Sequence, residues 1–189
     1  MLSKVVFLDR DGVINRDSSD YITSWPQFEF LPRSRRALAR LKRAGFTTIV
    51  ITNQSAVGRG IMTLATLSDL HARMCAAVRA AGGEIRDIFF CPHHPDQACT
   101  CRKPRPGLIW AARERHAIDL SRAVMVGDSP KDIAAARAAG VRLTVLVRTG
   151  NGAEAEKALS GRLDRPDHVA ADLFAAVDWI IAHDPLCAP

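Results

Sequence analysis

The chain is poor in aromatic residues: phenylalanine, tryptophan and tyrosine together make 6%, with a single tyrosine. A protein that grips single-stranded nucleic acid sets stacking rings beside its cations, and this composition does not supply them. The net charge is +6 at pH 7, yet the arginines are scattered over several helical stretches and form no run. A mildly basic protein of this kind suits a small anionic substrate. No apolar run approaches the ~20 residues of a membrane-spanning helix, and Met1-Leu2-Ser3-Lys4 leads straight into a short strand without a leader pattern. Cysteine is scarce as well: 5 in 189 residues is too few, in too long a chain, for a disulfide scaffold. The expectation is a cytoplasmic monomer of one domain over residues 1–189 that binds neither nucleic acid nor membrane. Its 48% of hydrophobic residues is enough for a packed core.

What is present is a series of short apolar runs that end in polar residues. The run Val5–Leu8 ends in Asp9-Arg10-Asp11-Gly12. Alone, an Asp-Gly pair after a strand is an ordinary turn. The β-branched run Phe46–Thr52 is followed by Asn53-Gln54-Ser55, and Ala123–Val126 runs into Gly127-Asp128-Ser129-Pro130. Ile85–Cys91 and Arg142–Val147 read as further strands. Between them lie helical patterns. One runs over 34–44 with Ser34 as N-cap. A second is capped by Thr63, carries Leu67, Leu70, Met74 and Val78 on one face, and stops at Gly82-Gly83. A third covers 108–116, and a fourth starts at Pro130 behind Ser129 and ends at Gly140. Residues 154–160 and 172–182 read as helices with a loop between. Residues 17–30, with Trp25-Pro26, lack periodicity and read as a flap over the first strand's end.

Continuous apolar strands alternating with helices predict an α/β fold: a Rossmann-like parallel sheet covered by helices on both faces. Ligands bind such sheets beyond the carboxyl ends of the strands. Asp9 and Asp11, Thr52 and Asn53, and Asp128 all fall there, from distant parts of the chain. Turn chemistry alone does not explain that recurrence.

A second constellation is Cys91-Pro92-His93-His94-Pro95 followed by Cys99-Thr100-Cys101. Three thiolates and an imidazole suit tetrahedral Zn²⁺. In an extended segment alternate residues share a side, so His93 joins Cys91, Cys99 and Cys101 while His94 points away. Four protein ligands make a structural site rather than a catalytic one. Arg102-Lys103 follows at once, so zinc would pin the loop that presents these two cations.

Four ordered stretches resemble the signatures of the haloacid dehalogenase-like phosphohydrolases: Asp9-Arg10-Asp11-Gly12-Val13, Thr52-Asn53, Lys103, and Gly127-Asp128-Ser129-Pro130-Lys131-Asp132. The resemblance implies Asp9 as nucleophile, forming an aspartyl-phosphate. It implies Asp11 as the residue that protonates the leaving oxygen and later takes a proton from water. Repulsion between nearby carboxylates would help hold one of them protonated. Mg²⁺, which prefers hard oxygen ligands, would be held by Asp9, the backbone carbonyl of Asp11 and Asp128, with Asp132 behind the site. Thr52 and the amide of Asn53 would bind phosphoryl oxygens, and Lys103 would neutralise developing charge.

Among these enzymes the Cys-x-His and Cys-x-Cys-Arg-Lys-Pro loop, standing in place of a large cap domain, resembles the heptose bisphosphate 7-phosphatases and the related histidinol-phosphate phosphatases. Thr52-Asn53-Gln54-Ser55 with Arg59-Gly60 is closer to the heptose group. That implies a sugar bisphosphate substrate, with Asp17, Tyr21, Asn53, Gln54, Ser55, Arg59, Arg102 and Lys103 as contacts. A second phosphate would suit the guanidinium forks of Arg59 and Arg102. The stretch Asp17-Ser18-Ser19-Asp20-Tyr21 is a residue longer than the group's usual form, and Ser129 stands where the group often has lysine. Cys75, His71, His116, His168 and His183 read as core or solvated residues, Trp179 as a core anchor of the last helix, and Cys187 as a tail residue without a role.

Overall fold

The computed structural model describes residues 1–183. Six strands and six helices alternate: β1 Val5–Leu8, α1 Ser34–Arg43, β2 Thr47–Asn53, α2 Leu64–Ala80, β3 Asp87–Cys91, α3 Gly107–His116, β4 Val124–Gly127, α4 Pro130–Ala139, β5 Leu143–Val147, α5 Gly152–Leu159, β6 His168–Ala170 and α6 Leu173–Ala182. The strands form one sheet in the order β3-β2-β1-β4-β5-β6, and every pair is parallel. This is the doubly wound arrangement, and the strand order reverses between β1 and β4.

Burial on both faces explains the unbroken apolar runs. β1 is fully buried along its length. Val6 and Leu8 face one side, packing with Leu38 and Leu41 of α1, Leu67 and Met74 of α2, and Val177 and Ile180 of α6. Val5 and Phe7 face the other, with Ile109 and Ala112 of α3 and Ala135 of α4. α5 closes the far edge through Ala155 and Leu159 against Leu146. Trp179, from α6, packs against the first of these clusters. Among the described residues no helix is long and apolar enough to cross a membrane.

Several expectations need correction. The sheet has a sixth strand, β6, where the sequence reads as loop; three residues are too few to show a period. Ser34 is the first helical residue of α1 rather than its cap: Arg33 holds that place with φ 62. Its guanidinium is tied to Asp172 at 2.6 Å and lies over the Phe174 ring, which fixes the turn from the outside. β3 begins two residues later than expected, at Asp87, and β2 extends through Asn53. Thr63 does cap α2, accepting from the N–H of Thr66 at 3.1 Å. Ser129 and Asp132 form a capping box on α4. The flap contains one short helical turn, Trp25–Gln27, and is anchored by Trp25, Phe28 and Phe30, whose rings contact one another. Cys187 lies outside the described residues.

Candidate active site

The carboxyl ends of β1, β2 and β4 lie side by side, so Asp9, Thr52 and Asp128 converge. Lys103 arrives from the loop after β3. It is 3% exposed, and its Nζ lies 2.9 Å from Asp9 Oδ1 and 2.6 Å from Asp132 Oδ1, and donates to the Ile51 carbonyl at 2.8 Å. Burial works against its charge, but Asp132 and Asp9 outweigh that and hold the ammonium above the ordinary lysine range. The Asn53 side chain clamps the Lys103 backbone, accepting from its N–H at 3.1 Å and donating to its carbonyl at 3.2 Å.

Asp9 Oδ1 accepts from the Arg10 N–H at 2.7 Å as well as facing Lys103. Burial pushes the Asp9 carboxyl up to about 8; Lys103 opposes this, and the charges of Asp132, Asp128 and Asp11 add to it. Burial and Asp132 push Asp128 up to about 7, against the N–H of Asn151. Asp11 goes the other way. Burial would raise it, but Arg10, Asn15 and Gln54 hold it below the ordinary aspartate range. The crowding of negative charge therefore falls on Asp9 and Asp128 and not on Asp11.

Oxygens of Asp9, Asp128 and Asp132 lie within 4.8 Å of one another. Both Asp132 oxygens are engaged, one by Lys103 and the other by the Ser129 N–H and hydroxyl at 3.0 and 2.9 Å. That leaves Asp9 and Asp128 as the carboxylate donors. Hard oxygens that cling to protons near neutral pH are the donor set a Mg²⁺ ion relieves. The turn after β1 comes very close to them: a Cβ on Gly12, whose φ is +78, would lie 2.1 Å from Asp128 Oδ2. No side chain fits between the turn and the carboxylate.

The thiol cluster has the dimensions of a metal site. Cys91 Sγ lies 3.6 Å from Cys99 Sγ and 3.5 Å from His93 Nδ1, and His93 Nδ1 lies 3.2 Å from Cys101 Sγ. Tetrahedral zinc with ordinary bond lengths separates sulfurs by about 3.8 Å and sulfur from nitrogen by about 3.6 Å. His94 turns away to Asp96. The loop carrying Arg59 packs directly on this cluster's backbone: a Cβ on Gly58 would lie 2.4 Å from His94 N and 2.6 Å from Pro92 O.

The candidate substrate contacts divide. Gln54 is buried, and its amide donates to Asp11 Oδ2 at 2.8 Å and to Thr52 Oγ1 at 3.0 Å, so it joins the two catalytic candidates rather than facing solvent. Ser55 is buried too. Asp17, Tyr21 and Arg59 sit on the outer loops, with Tyr21 at φ 62. Arg102 Nη1 is buried without a hydrogen-bond partner among the described residues, a donor that an anion would satisfy. A cavity of about 390 Å³, lined by Asp17, Ser18, Gly150 and Asn151, opens beside the carboxylates. A larger one of about 620 Å³, lined by Leu159, Leu163 and His168, contains none of the site residues. The chemistry, not the volume, locates the site.

Three groups escape sequence reasoning. Arg10 and His71 stand behind Asp11. Asn151, after β5, donates its N–H to Asp128 Oδ2 at 2.8 Å and its amide to Asp17 at 3.1 Å. Beside it, Thr149 donates to the Gly12 carbonyl at 2.6 Å. No spacing rule connects positions this far apart; a polar run after an apolar strand (Thr149-Gly150-Asn151) is the one signal available.

A family model described as HAD-hydrolase-like matches residues 100–176. The D-glycero-beta-D-manno-heptose-1,7-bisphosphate 7-phosphatase of Pseudomonas putida is 48% identical over 149 residues, 79% of this chain and 85% of that protein. Its namesake in Bordetella bronchiseptica is 41% identical over 179 residues, 94% of this chain and 98% of the other. The crystal structure of D,D-heptose 1,7-bisphosphate phosphatase from B. bronchiseptica, complexed with magnesium and phosphate, matches with a TM-score of 0.87 at 39% identity, covering 95% of this chain and 98% of that one. By this likeness over nearly its whole length, the chain belongs to the haloacid dehalogenase-like hydrolases, in the family of the D-glycero-D-manno-heptose 1,7-bisphosphate 7-phosphatases.

Proposed function

We propose that this chain removes the C7 phosphate of D-glycero-D-manno-heptose 1,7-bisphosphate through an aspartyl-phosphate intermediate. The observation that carries the chemistry is the buried Lys103 ammonium held between Asp9 and Asp132 at the sheet's switch point. Asp9 Oδ1 is fixed by Lys103 and the Arg10 N–H. Oδ2, the other oxygen of the pair, is the one that attacks phosphorus. Asp11 rests as a carboxylate held by Arg10, Asn15 and Gln54; it must take up a proton before it delivers one to the sugar oxygen as that bond breaks. Water then opens the aspartyl-phosphate, giving its proton back to Asp11 and restoring Asp9. Lys103 and the amide of Asn53 face the charge that builds on the phosphoryl oxygens, and Thr52 donates to them. Asp9, Asp128 and the carbonyl of Asp11 would hold Mg²⁺, which would supply the charge neutralisation that lets a phosphate approach carboxylates.

The name of the relatives supports the heptose substrate, and the orphaned Arg102 Nη1 supports a second anionic group on it. Asp17, Tyr21, Ser55 and Arg59 are the further residues proposed to touch sugar or distal phosphate. The further expectation is a monomer working as a single domain over 1–189; the chemistry of a free sugar phosphate supports a cytoplasmic setting. The test is phosphate release from the two anomers of the heptose bisphosphate, histidinol phosphate and simple sugar phosphates. The expected result is preference for the heptose bisphosphate, the β anomer first. Preference for histidinol phosphate would overturn the substrate, and phosphate release by Asp9→Asn would overturn the mechanism.

A further inference from the structure

Arg10 stands between the two aspartates of the first signature, and its side chain is 1% exposed. A buried guanidinium is costly unless its charge is matched. It is matched by Asp11: Nη2 donates to Oδ1 at 2.8 Å and to Oδ2 at 2.9 Å, and Nε to Oδ1 at 3.1 Å. The carboxylate plane is thereby fixed by a rigid fork. Asn15 at 2.9 Å and Gln54 at 2.8 Å complete its surroundings.

The fork is itself held from behind. Arg10 Nη1 lies 3.3 Å from His71 Nε2 on α2. Arginine has no acceptor, so Nε2 receives the hydrogen bond and the ring proton sits on Nδ1. Burial and the Arg10 charge push His71 down to about 3, so the ring remains neutral through the physiological range. Its ring packs edge-on to Phe90 at 5.7 Å, and Phe28 of the flap covers the guanidinium at 6.0 Å.

We propose that Arg10 and His71 are positioning residues for the proton-transfer group: Arg10 sets the direction of the Asp11 carboxylate, and His71 sets Arg10 by accepting at Nε2. This rests on the reading of Asp11 as the residue that protonates the leaving oxygen. Proton transfer needs the two heavy atoms within about 3 Å in line, and a carboxylate on a turn has several rotamers to choose from. Neither Arg10 nor His71 touches substrate in this scheme. Their effect appears where the leaving group needs a proton and disappears where it does not.

The experiment compares kcat/KM, which reports on the first, phosphoryl-transfer step, for the heptose bisphosphate and for p-nitrophenyl phosphate, whose phenolate leaves without protonation. Arg10→Met is expected to lower the sugar value about 100-fold, the scale of a 1 Å misplacement, and the p-nitrophenyl value less than tenfold. His71→Leu is expected to lower the sugar value about tenfold on the same logic. His71→Gln, which restores an acceptor, recovers most of it. In an Asp11→Asn background Arg10→Met has no further effect. If Arg10→Met does not fold, judged by circular dichroism, the His71 pair decides alone. Equal losses on both substrates, or none in the folded variants, overturn the proposal. Unchanged sugar turnover in Asp11→Asn alone would instead overturn the reading beneath it.

Discussion

Replacing Lys103 by methionine keeps the length of the side chain and deletes its charge. The ammonium lies 2.9 Å from Asp9 Oδ1 and 2.6 Å from Asp132 Oδ1. Removing one partner of a buried ion pair costs about 3–5 kcal/mol, because the other charge is left buried and uncompensated. Here the protein has an escape, which is to protonate Asp9. That carboxyl is already at about 8 with the lysine present, since burial and the neighbouring carboxylates outweigh it. Without Lys103 it moves higher. A carboxyl whose folded pKa lies above its unfolded value binds the extra proton in the folded state, so stability falls as pH rises from the unfolded value to the folded one. The substitution extends that window upward. In metal-free protein the loss is therefore expected to be greatest near pH 9, about 3 kcal/mol, and smaller at pH 5, where both proteins carry the Asp9 proton. Urea unfolding in chelator at the two pH values measures it. With Mg²⁺ restored, phosphate release should fall about 10²–10³-fold, as when one donor to a developing oxyanion is removed. Equal destabilisation at both pH values would refute the coupling of Asp9 to Lys103, and turnover within tenfold of wild type would take Lys103 out of the chemistry.

Stripping the metal from the Cys91, His93, Cys99 and Cys101 cluster and then restoring Mg²⁺ should leave turnover depressed, because the loop presenting Lys103 is no longer pinned; full activity with zinc absent by elemental analysis would refute this. Gly58→Ala forces a methyl to within 2.4 Å of the His94 backbone, so it should cost about 1–3 kcal/mol and weaken metal retention, seen as a lower Tm and lower zinc content. The metal-free protein should lose stability as pH rises from about 4 to about 8, since burial raises both Asp9 and Asp128. Mg²⁺ should accordingly raise Tm more at pH 8 than at pH 5, where it must displace protons; an equal gain at both would contradict that account.

The parallel sheet was legible because its strands are buried on both faces, which writes β1 as an unbroken Val5-Val6-Phe7-Leu8. The convergence of Asp9, Thr52 and Asp128 was legible for the same reason, since strand ends in such a sheet share one edge. The cysteine loop was legible from its residue types, three thiols beside two histidines within a short stretch. β6 was not, because three residues carry no period. Nor was the Arg10–His71 pair: 61 positions separate them, and a histidine on the buried face of α2 looks the same in sequence whether it meets a leucine or a guanidinium. Gln54 was read as a sugar contact through the resemblance of Thr52-Asn53-Gln54-Ser55 to the heptose group; the turn after β2 folds its amide back onto Thr52 and Asp11, an arrangement no local pattern announces. Local patterns report which residues are apolar together, and a polar partner supplied by a distant helix leaves no mark on them.

Lys103 shows why a short loop can serve where a separate domain is absent. The β2–β3 register sets Asn53 opposite Cys91, so the first thiol of the cluster and the residue that clamps Lys103 are neighbours across one ladder. Asn53 takes both polar groups of the Lys103 backbone, while Cys101 anchors the chain two positions upstream. The side chain then ends on the Ile51 carbonyl, on the same strand. A free lysine side chain carries about 2 kcal/mol of rotamer entropy. Here that entropy is lost on folding, before any phosphate arrives, and none of it is charged to the transition state. Pre-set charge of this kind is what electrostatic stabilisation requires. A residue anchored through Asn53, the thiol cluster and Ile51 has no need of a closing cap to bring it into place.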